Sequence, residues 1–182
     1  MRRRGLLGLA TAALTALPLR AQGVAAPPPE VAQALPAARL QGQGRLRFFG
    51  LHVYDIRLWA ADALLDGRWE DRPLALELAY ARTLHGQSIA ERSLQEMRRQ
   101  GEITPAQAQR WLTGMASLFP DVRDGDRLSG VYLPGAGAAF YFNGQPRGEL
   151  RDAGFARRFF GIWLAPQTSE PGLRERLLGI GE

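Results

Sequence analysis

The sequence predicts an α+β domain in which an antiparallel sheet is covered by helices, mainly on one face. Three observations carry that reading. Segments rich in aromatic and branched residues, spaced as strands, lie both before and after the middle of the chain. Two helix-start signals with apolar stripes at helical spacing lie between them. Turn signals at Pro134-Gly-Ala-Gly137 and Asn143-Gly144 join the later strands closely enough for an antiparallel meander. With 182 residues, 46% hydrophobic and 23% charged, the chain can bury one sizeable core and leaves no room for a second domain.

Residues 1–21 read as an export signal: Arg2-Arg-Arg4, an apolar stretch too short to span a bilayer comfortably, and small residues ending at Ala21. Cleavage is expected after Ala21 or Ala25, giving a periplasmic or secreted protein; an uncleaved anchor is the alternative. Arg3-Arg4-Gly-Leu-Leu7 resembles a twin-arginine signal, although an arginine-rich head serves the general route as well. Residues 22–39, with Pro27-Pro28-Pro29, read as an extended Pro/Ala-rich linker. Order is then expected from Leu40, so the domain occupies residues 40–182.

Residues 45–49 and 51–59 read as two strands or one long bent one, with Gly50 at the bulge or bend. In residues 73–81, Leu74, Leu76, Leu78 and Tyr80 alternate with smaller or polar residues, a strand with one buried face. Ser88-Ile-Ala-Glu91 fits a capping box for a helix running to about Gln100, with Ala90, Leu94 and Met97 on one side. Thr104-Pro-Ala-Gln107 repeats the device with proline in the first turn, and Ala108, Trp111, Met115 and Leu118 make the next stripe. The two helices are expected as an antiparallel pair joined at Gly101. Pro120 ends the second by pushing Phe119 out of helical dihedrals. Residues 127–133, 138–142 and 145–151 are the later strands, and Asp152 caps a helix carrying Phe155, Phe159, Ile162 and Trp163. A turn and a short last helix follow.

Composition excludes several chemistries. The formal net charge is +5 and the pI about 10.6, but Arg2, Arg3, Arg4 and Arg20 supply four of those charges, leaving +1 for the exported chain. Nucleic acid is therefore not an expected partner. All 23 basic residues are arginine, which removes Schiff-base catalysis, and the absence of cysteine removes thiol chemistry, disulfides and thiolate metal sites. His52 and His85 have no metal-ligand spacing, and no serine-nucleophile motif occurs. Gly42-Gln-Gly44 precedes a strand, the wrong context for a nucleotide loop. Asp121, Asp124 and Asp126 lack the closing glutamate of a calcium loop and read as a hydrogen-bonded turn. No cofactor is expected. What remains is a set of arginines and tyrosines on strands: Arg45, Arg47, Tyr54 and Tyr80 as ligand-binding candidates, with Arg82, Tyr132 and Tyr141 beside them. They suit an apolar cleft with an anchored anionic group, and equally suit rim positions with packed stems.

Several segments in fixed order resemble bacterial chalcone isomerase-like proteins: Val53-Tyr-Asp-Ile-Arg-Leu-Trp59, Leu78-Ala-Tyr-Ala-Arg82, Ser93-Leu-Gln-Glu-Met97, Phe119-Pro-Asp-Val-Arg-Asp-Gly-Asp126, Phe140-Tyr-Phe-Asn-Gly144 and the aromatic run from Phe155 to Trp163 with its tail to Arg174. The resemblance implies an open-faced β-sandwich. Chalcone isomerases of plants use an arginine for charge, a threonine and a tyrosine that hold a water, and an asparagine with a hydroxyl residue that position the phenol. Here the threonine falls on Phe49, no tyrosine lies between Tyr80 and Tyr132, the sole asparagine is Asn143 in a turn, and the terminal hydroxyl falls near Gly172 or Leu173. Only the arginine has a counterpart, Arg45 or Arg47. The leading expectation is thus a non-catalytic relative that binds a fatty acid or other small apolar ligand, a function that the resemblance alone implies. An intramolecular lyase of another substrate, using Arg45 or Arg47, and a periplasmic protein-interaction module stand as alternatives.

Overall fold

The computed structural model describes residues 25–64 and 67–180; residues 1–21, read above as an export signal, lie outside them. Six strands follow one another in a single meander, β1 Arg39–Phe48, β2 Leu51–Ala60, β3 Leu74–Tyr80, β4 Arg127–Leu133, β5 Gly137–Phe142 and β6 Gln145–Leu150, each pairing antiparallel with the next. Between β3 and β4 come α2 Gly86–Met97 and α3 Pro105–Leu118, and after β6 come α4 Ala153–Leu164 and α5 Pro171–Leu178. The sheet is open, and these four helices cover one face. The two-residue side-chain period explains how: Tyr54, Ile56 and Leu58, then Leu74, Leu76, Leu78 and Tyr80, then Leu128 and Tyr132, all reach the helix-facing core.

The α4 helix is the centre of that core. Phe155 and Phe160 are fully buried, and Phe159 touches the rings of Phe119, Phe140, Phe155, Phe160 and Trp163. Asp152 starts the helix as expected, accepting from Phe155 N at 2.9 Å. Its other oxygen accepts from Trp111 Nε1 at 2.8 Å, which ties α4 to α3. Thr104 and Gln107 form the expected capping box at the start of α3. The expected box at Ser88 does not form. Instead α2 begins at Gly86, whose N–H donates to Asp121 Oδ1 at 2.8 Å, so the cap comes from the turn before β4.

Residues 29–39 are not the extended linker that their composition suggests. Pro29 opens a short helix, α1 Pro29–Ala34, where its fixed φ suits a first helical position, and β1 already begins at Arg39. This helix sits on the opposite face of the sheet, with Val31 fully buried against a small cluster of Trp59, Ala75 and Val131. Glu30 is buried too, and accepts from Ser129 Oγ at 2.8 Å and from Arg127 at 3.0 Å. The bend expected at Gly50 is a hairpin turn. Both central residues, Phe49 and Gly50, have positive φ, which is the backbone of a type I′ turn.

Gly42 and Gly44 have a packing role. A side chain at Gly42 would stand 2.2 Å from the Arg176 carbonyl oxygen, and one at Gly44 2.3 Å from Leu173 Cδ1, so α5 can lie directly on β1 only because both are glycine.

Candidate functional site

The helices do not close completely onto the sheet. Between β1–β4 and the helices α2 and α4 lies a cavity of about 400 Å³, within the size range of small-molecule sites. Its inner wall is apolar: Leu76, Leu78 and Leu128 from the sheet, Phe119 and Phe140 beside them, and Phe159 and Trp163 from α4. Polar groups gather where α2, the end of β3 and the α4–α5 connection approach one another: Arg82, Ser88, Arg92, Ser93, Glu96, Ser169 and Glu170. The contrast sorts the cavity into an oily interior and a polar mouth.

Two tyrosines stand in the wall, their rings edge to face at 5.7 Å. Tyr54 accepts a hydrogen bond from Trp163 Nε1 at 2.9 Å, which pins α4 to β2. Tyr80 is 4% exposed, and its hydroxyl has no hydrogen-bond partner among the described residues. Burial pushes both phenols well above their ordinary value, the Trp163 bond opposing it at Tyr54 and the neighbouring Tyr54 adding to it at Tyr80. Both therefore remain neutral, and Tyr80 presents an unused O–H.

At the mouth, Arg92 holds Glu96 at 2.6 Å while its guanidinium lies 5.8 Å above the Phe48 ring. Glu96 Oε2 is buried without a hydrogen bond, although Arg99 Nε stands 3.7 Å away. Arg82 is exposed and has no carboxylate partner among the described residues. It lies two residues beyond Tyr80, where the chain still follows β2 through the Ala81 N to Val53 carbonyl bond of 3.0 Å.

Of the four candidates from sequence, Tyr54 and Tyr80 line the cavity, and Arg45 and Arg47 do not. On β1 the cavity-facing residues are Leu46 and Phe48, so the strand period turns both arginines outward. Arg45 donates to Asp55 Oδ1 at 2.7 Å, which is also 3.2 Å from His52, and Arg47 donates to the Gly50 carbonyl at 3.2 Å. Tyr132 donates to the Glu70 carbonyl at 2.8 Å, away from the cavity, and Tyr141 packs on the α1 side. Arg92, Ser93 and Glu96 were missed. Their signal was present, since Ile89, Arg92, Ser93 and Glu96 share one helical face, but polar side chains there read as solvated. The aspartates act as a turn: Asp121 caps α2, and Asp126 accepts from Arg123 N at 2.9 Å and Asn143 Nδ2 at 3.0 Å. No group of acidic or histidine residues suited to a metal occurs among the described residues.

An open antiparallel sheet with helices over one face, and an apolar cavity with a polar mouth between them, defines a class of open-faced β-sandwich proteins. Within that class the chain belongs to the chalcone isomerase-like family, whose profile matches residues 25–179. It is similar to an uncharacterized protein of Haemophilus influenzae, 31% identical over 148 residues that cover 80% of this chain and 71% of that one. In structure it is similar to a fatty-acid binding protein of Arabidopsis thaliana, with a TM-score of 0.64, 16% identity, and coverage of 78% of this chain and 87% of that one. At that identity the likeness is one of fold.

Proposed function

We propose that this protein is a non-catalytic carrier or sensor of a fatty acid or similar small apolar molecule with one anionic end. The observation that carries the reading is the cavity itself, apolar inside and arginine-bearing at its mouth. An acyl chain between Leu76, Leu78, Leu128, Phe140 and Phe159 would exchange water for hydrocarbon at about 25 cal/mol per Å² of apolar surface. The carboxylate would then meet Arg82, which has no acidic partner among the described residues, and the Tyr80 hydroxyl, which has no hydrogen-bond partner among them and can donate to a ligand oxygen. The Arabidopsis fatty-acid binding protein of the same fold supports this reading.

A lyase reading is weaker on the same geometry. The arginines expected to serve it lie outside the cavity, and the lining contains no histidine. We further propose that the domain works outside the cytoplasm, on the pattern of residues 1–21. Cell fractionation tests this, and retention of the full-length chain in the cytoplasm would contradict it.

The binding test is calorimetric titration with palmitate of the wild type, Arg82→Ala and Ser93→Trp. Ser93 is a small buried residue of the wall, so tryptophan there fills the cavity. Saturable binding that Arg82→Ala weakens and Ser93→Trp abolishes is expected. Chalcone turnover above the uncatalysed rate would contradict the non-catalytic reading, as would undiminished palmitate affinity in Ser93→Trp for the cavity site.

A further inference from the structure

Among the described residues, two hairpin turns share one backbone form. In one, Asn143 and Gly144 have φ of 49° and 83°; in the other, Phe49 and Gly50 have φ of 48° and 77°. Asparagine and glycine are what such a turn ordinarily selects, because an L side chain at positive φ crowds the following carbonyl and asparagine tolerates this better than most. Phenylalanine is a poor choice there. Burial does not explain it either, since Phe49 is 91% exposed and its ring leans on that of half-exposed Phe48 at 4.5 Å. Its neighbours Phe48 and Leu51 are 53% and 55% exposed. The hairpin tip is thus a projecting apolar cap that folding does not require.

Its surroundings are cationic. Arg47 flanks the turn without a carboxylate partner among the described residues, Arg82 runs beside the hairpin, and Arg92 stands over Phe48. Of the acids beside it, Asp55 and Glu96 are engaged by Arg45 and Arg92, and Glu170, which lines the cavity with Phe48, leaves the arginines in the majority. A second copy of the chain suits this surface badly, because a two-fold contact through the tip would set arginine against arginine. Exposed aromatic rings ringed by guanidinium groups match an anionic lipid surface, where the rings enter the interface and the guanidiniums pair with phosphates.

We propose that the Phe48–Leu51 tip docks the protein onto an anionic membrane surface. Phe48 belongs both to the tip and to the cavity lining, so docking turns the mouth toward the bilayer. That last step rests on the acyl-chain reading of the cavity; the docking itself does not. No helix among the described residues is long and apolar enough to span a membrane, so attachment through this tip is peripheral.

Vesicle co-sedimentation tests the proposal, using the full chain with phosphatidylcholine vesicles and with vesicles containing phosphatidylglycerol. Binding should favour the anionic vesicles and weaken with salt. Phe49→Asn gives this turn the residue of its counterpart and should keep or raise thermal stability. It should lower partitioning about tenfold or more, since withdrawing one buried phenylalanine costs at least that factor. Arg47→Glu should lower binding to the anionic vesicles alone. Palmitate affinity in solution should be unchanged in Phe49→Asn, so a failed membrane test and a failed cavity test are distinguishable. Equal partitioning of wild type and Phe49→Asn, or no partitioning, would overturn the proposal. Self-association abolished by Phe49→Asn would overturn it in favour of a second copy.

Discussion

Replacing Asp152 should separate two contributions that its carboxylate makes to holding α4 in place. One oxygen caps α4 by accepting from Phe155 N, and the other accepts from Trp111 Nε1 and, at 3.2 Å, from Arg110. Asp152→Ala removes the cap, worth about 1 kcal/mol. It also leaves the indole N–H of Trp111, a residue 1% exposed, without a partner, at about 1–3 kcal/mol. The Arg110 pair is exposed and adds little. The expected loss is about 2–4 kcal/mol. Asp152→Asn keeps the cap but opposes an amide N–H to the indole N–H, so it should lose about 1–3 kcal/mol. In a Trp111→Phe background that second cost vanishes, and the same substitution should then change stability by only a few tenths of a kcal/mol. Urea denaturation followed by circular dichroism measures all five proteins, the wild type and the Trp111→Phe background included. A loss below about 0.5 kcal/mol for Asp152→Ala, or an equal cost of Asp152→Asn in both backgrounds, would refute the reasoning. The acid limb adds a check. Burial tends to raise the Asp152 carboxyl, but bonds from Trp111, Phe155 N and Arg110 outweigh it and hold the group below its ordinary value. A depressed folded-state value means stability that is complete above the unfolded value and lost as pH falls through the folded one. The gap between wild type and Asp152→Asn should therefore narrow as pH drops from about 5 toward 2.

The two cavity tyrosines should respond oppositely to loss of the hydroxyl. Tyr54→Phe strands the Trp163 N–H and should cost about 1–3 kcal/mol in urea denaturation. Tyr80→Phe removes a hydroxyl with no protein partner, so stability should hold or rise while palmitate affinity falls; equal destabilisation by both would refute this. Glu30→Ala leaves Arg127 and Ser129 facing a buried gap and should cost about 3 kcal/mol in the same assay, whereas a neutral result would show α1 to be dispensable. Gly42→Val drives a side chain into the backbone of α5 and should lower the thermal midpoint while exposing α5 to limited proteolysis; an unchanged digest would contradict the close approach.

Much of this fold was legible because local signals and tertiary needs agree. The strand from Leu74 to Tyr80, the capping box at Thr104, the cap at Asp152 and the Asn143-Gly144 turn each keep the local geometry expected, although that strand is buried on both faces rather than one, Ala75 and Glu77 being covered as well. Where the reading failed, the deciding contact was distant in sequence. The start of α2 is set by Asp121, 35 residues away. Val31 looks like linker until the sheet supplies Trp59 and Val131 for it to cover. The site was half legible. Tyr54 and Tyr80 share the buried face of adjacent strands, directly paired in register; alternation marked Tyr80, and Tyr54 was a candidate as a tyrosine on a strand. Arg45 and Arg47 looked equivalent to them, yet their alternation partners Leu46 and Phe48 take the cavity face. The mouth was illegible because its parts come from a strand end, the α2 helix and a loop near Ser169, which only the packed structure brings together.

Intermolecular NOEs between carbon-13-labelled palmitate and the protein methyl groups test the central claim most directly. The account predicts contacts from the chain to Leu76, Leu78, Ile89 and Leu128, the methyls that line the cavity. Contacts confined to outward-facing groups such as Leu133 and Ile180, with none to those four, would contradict it.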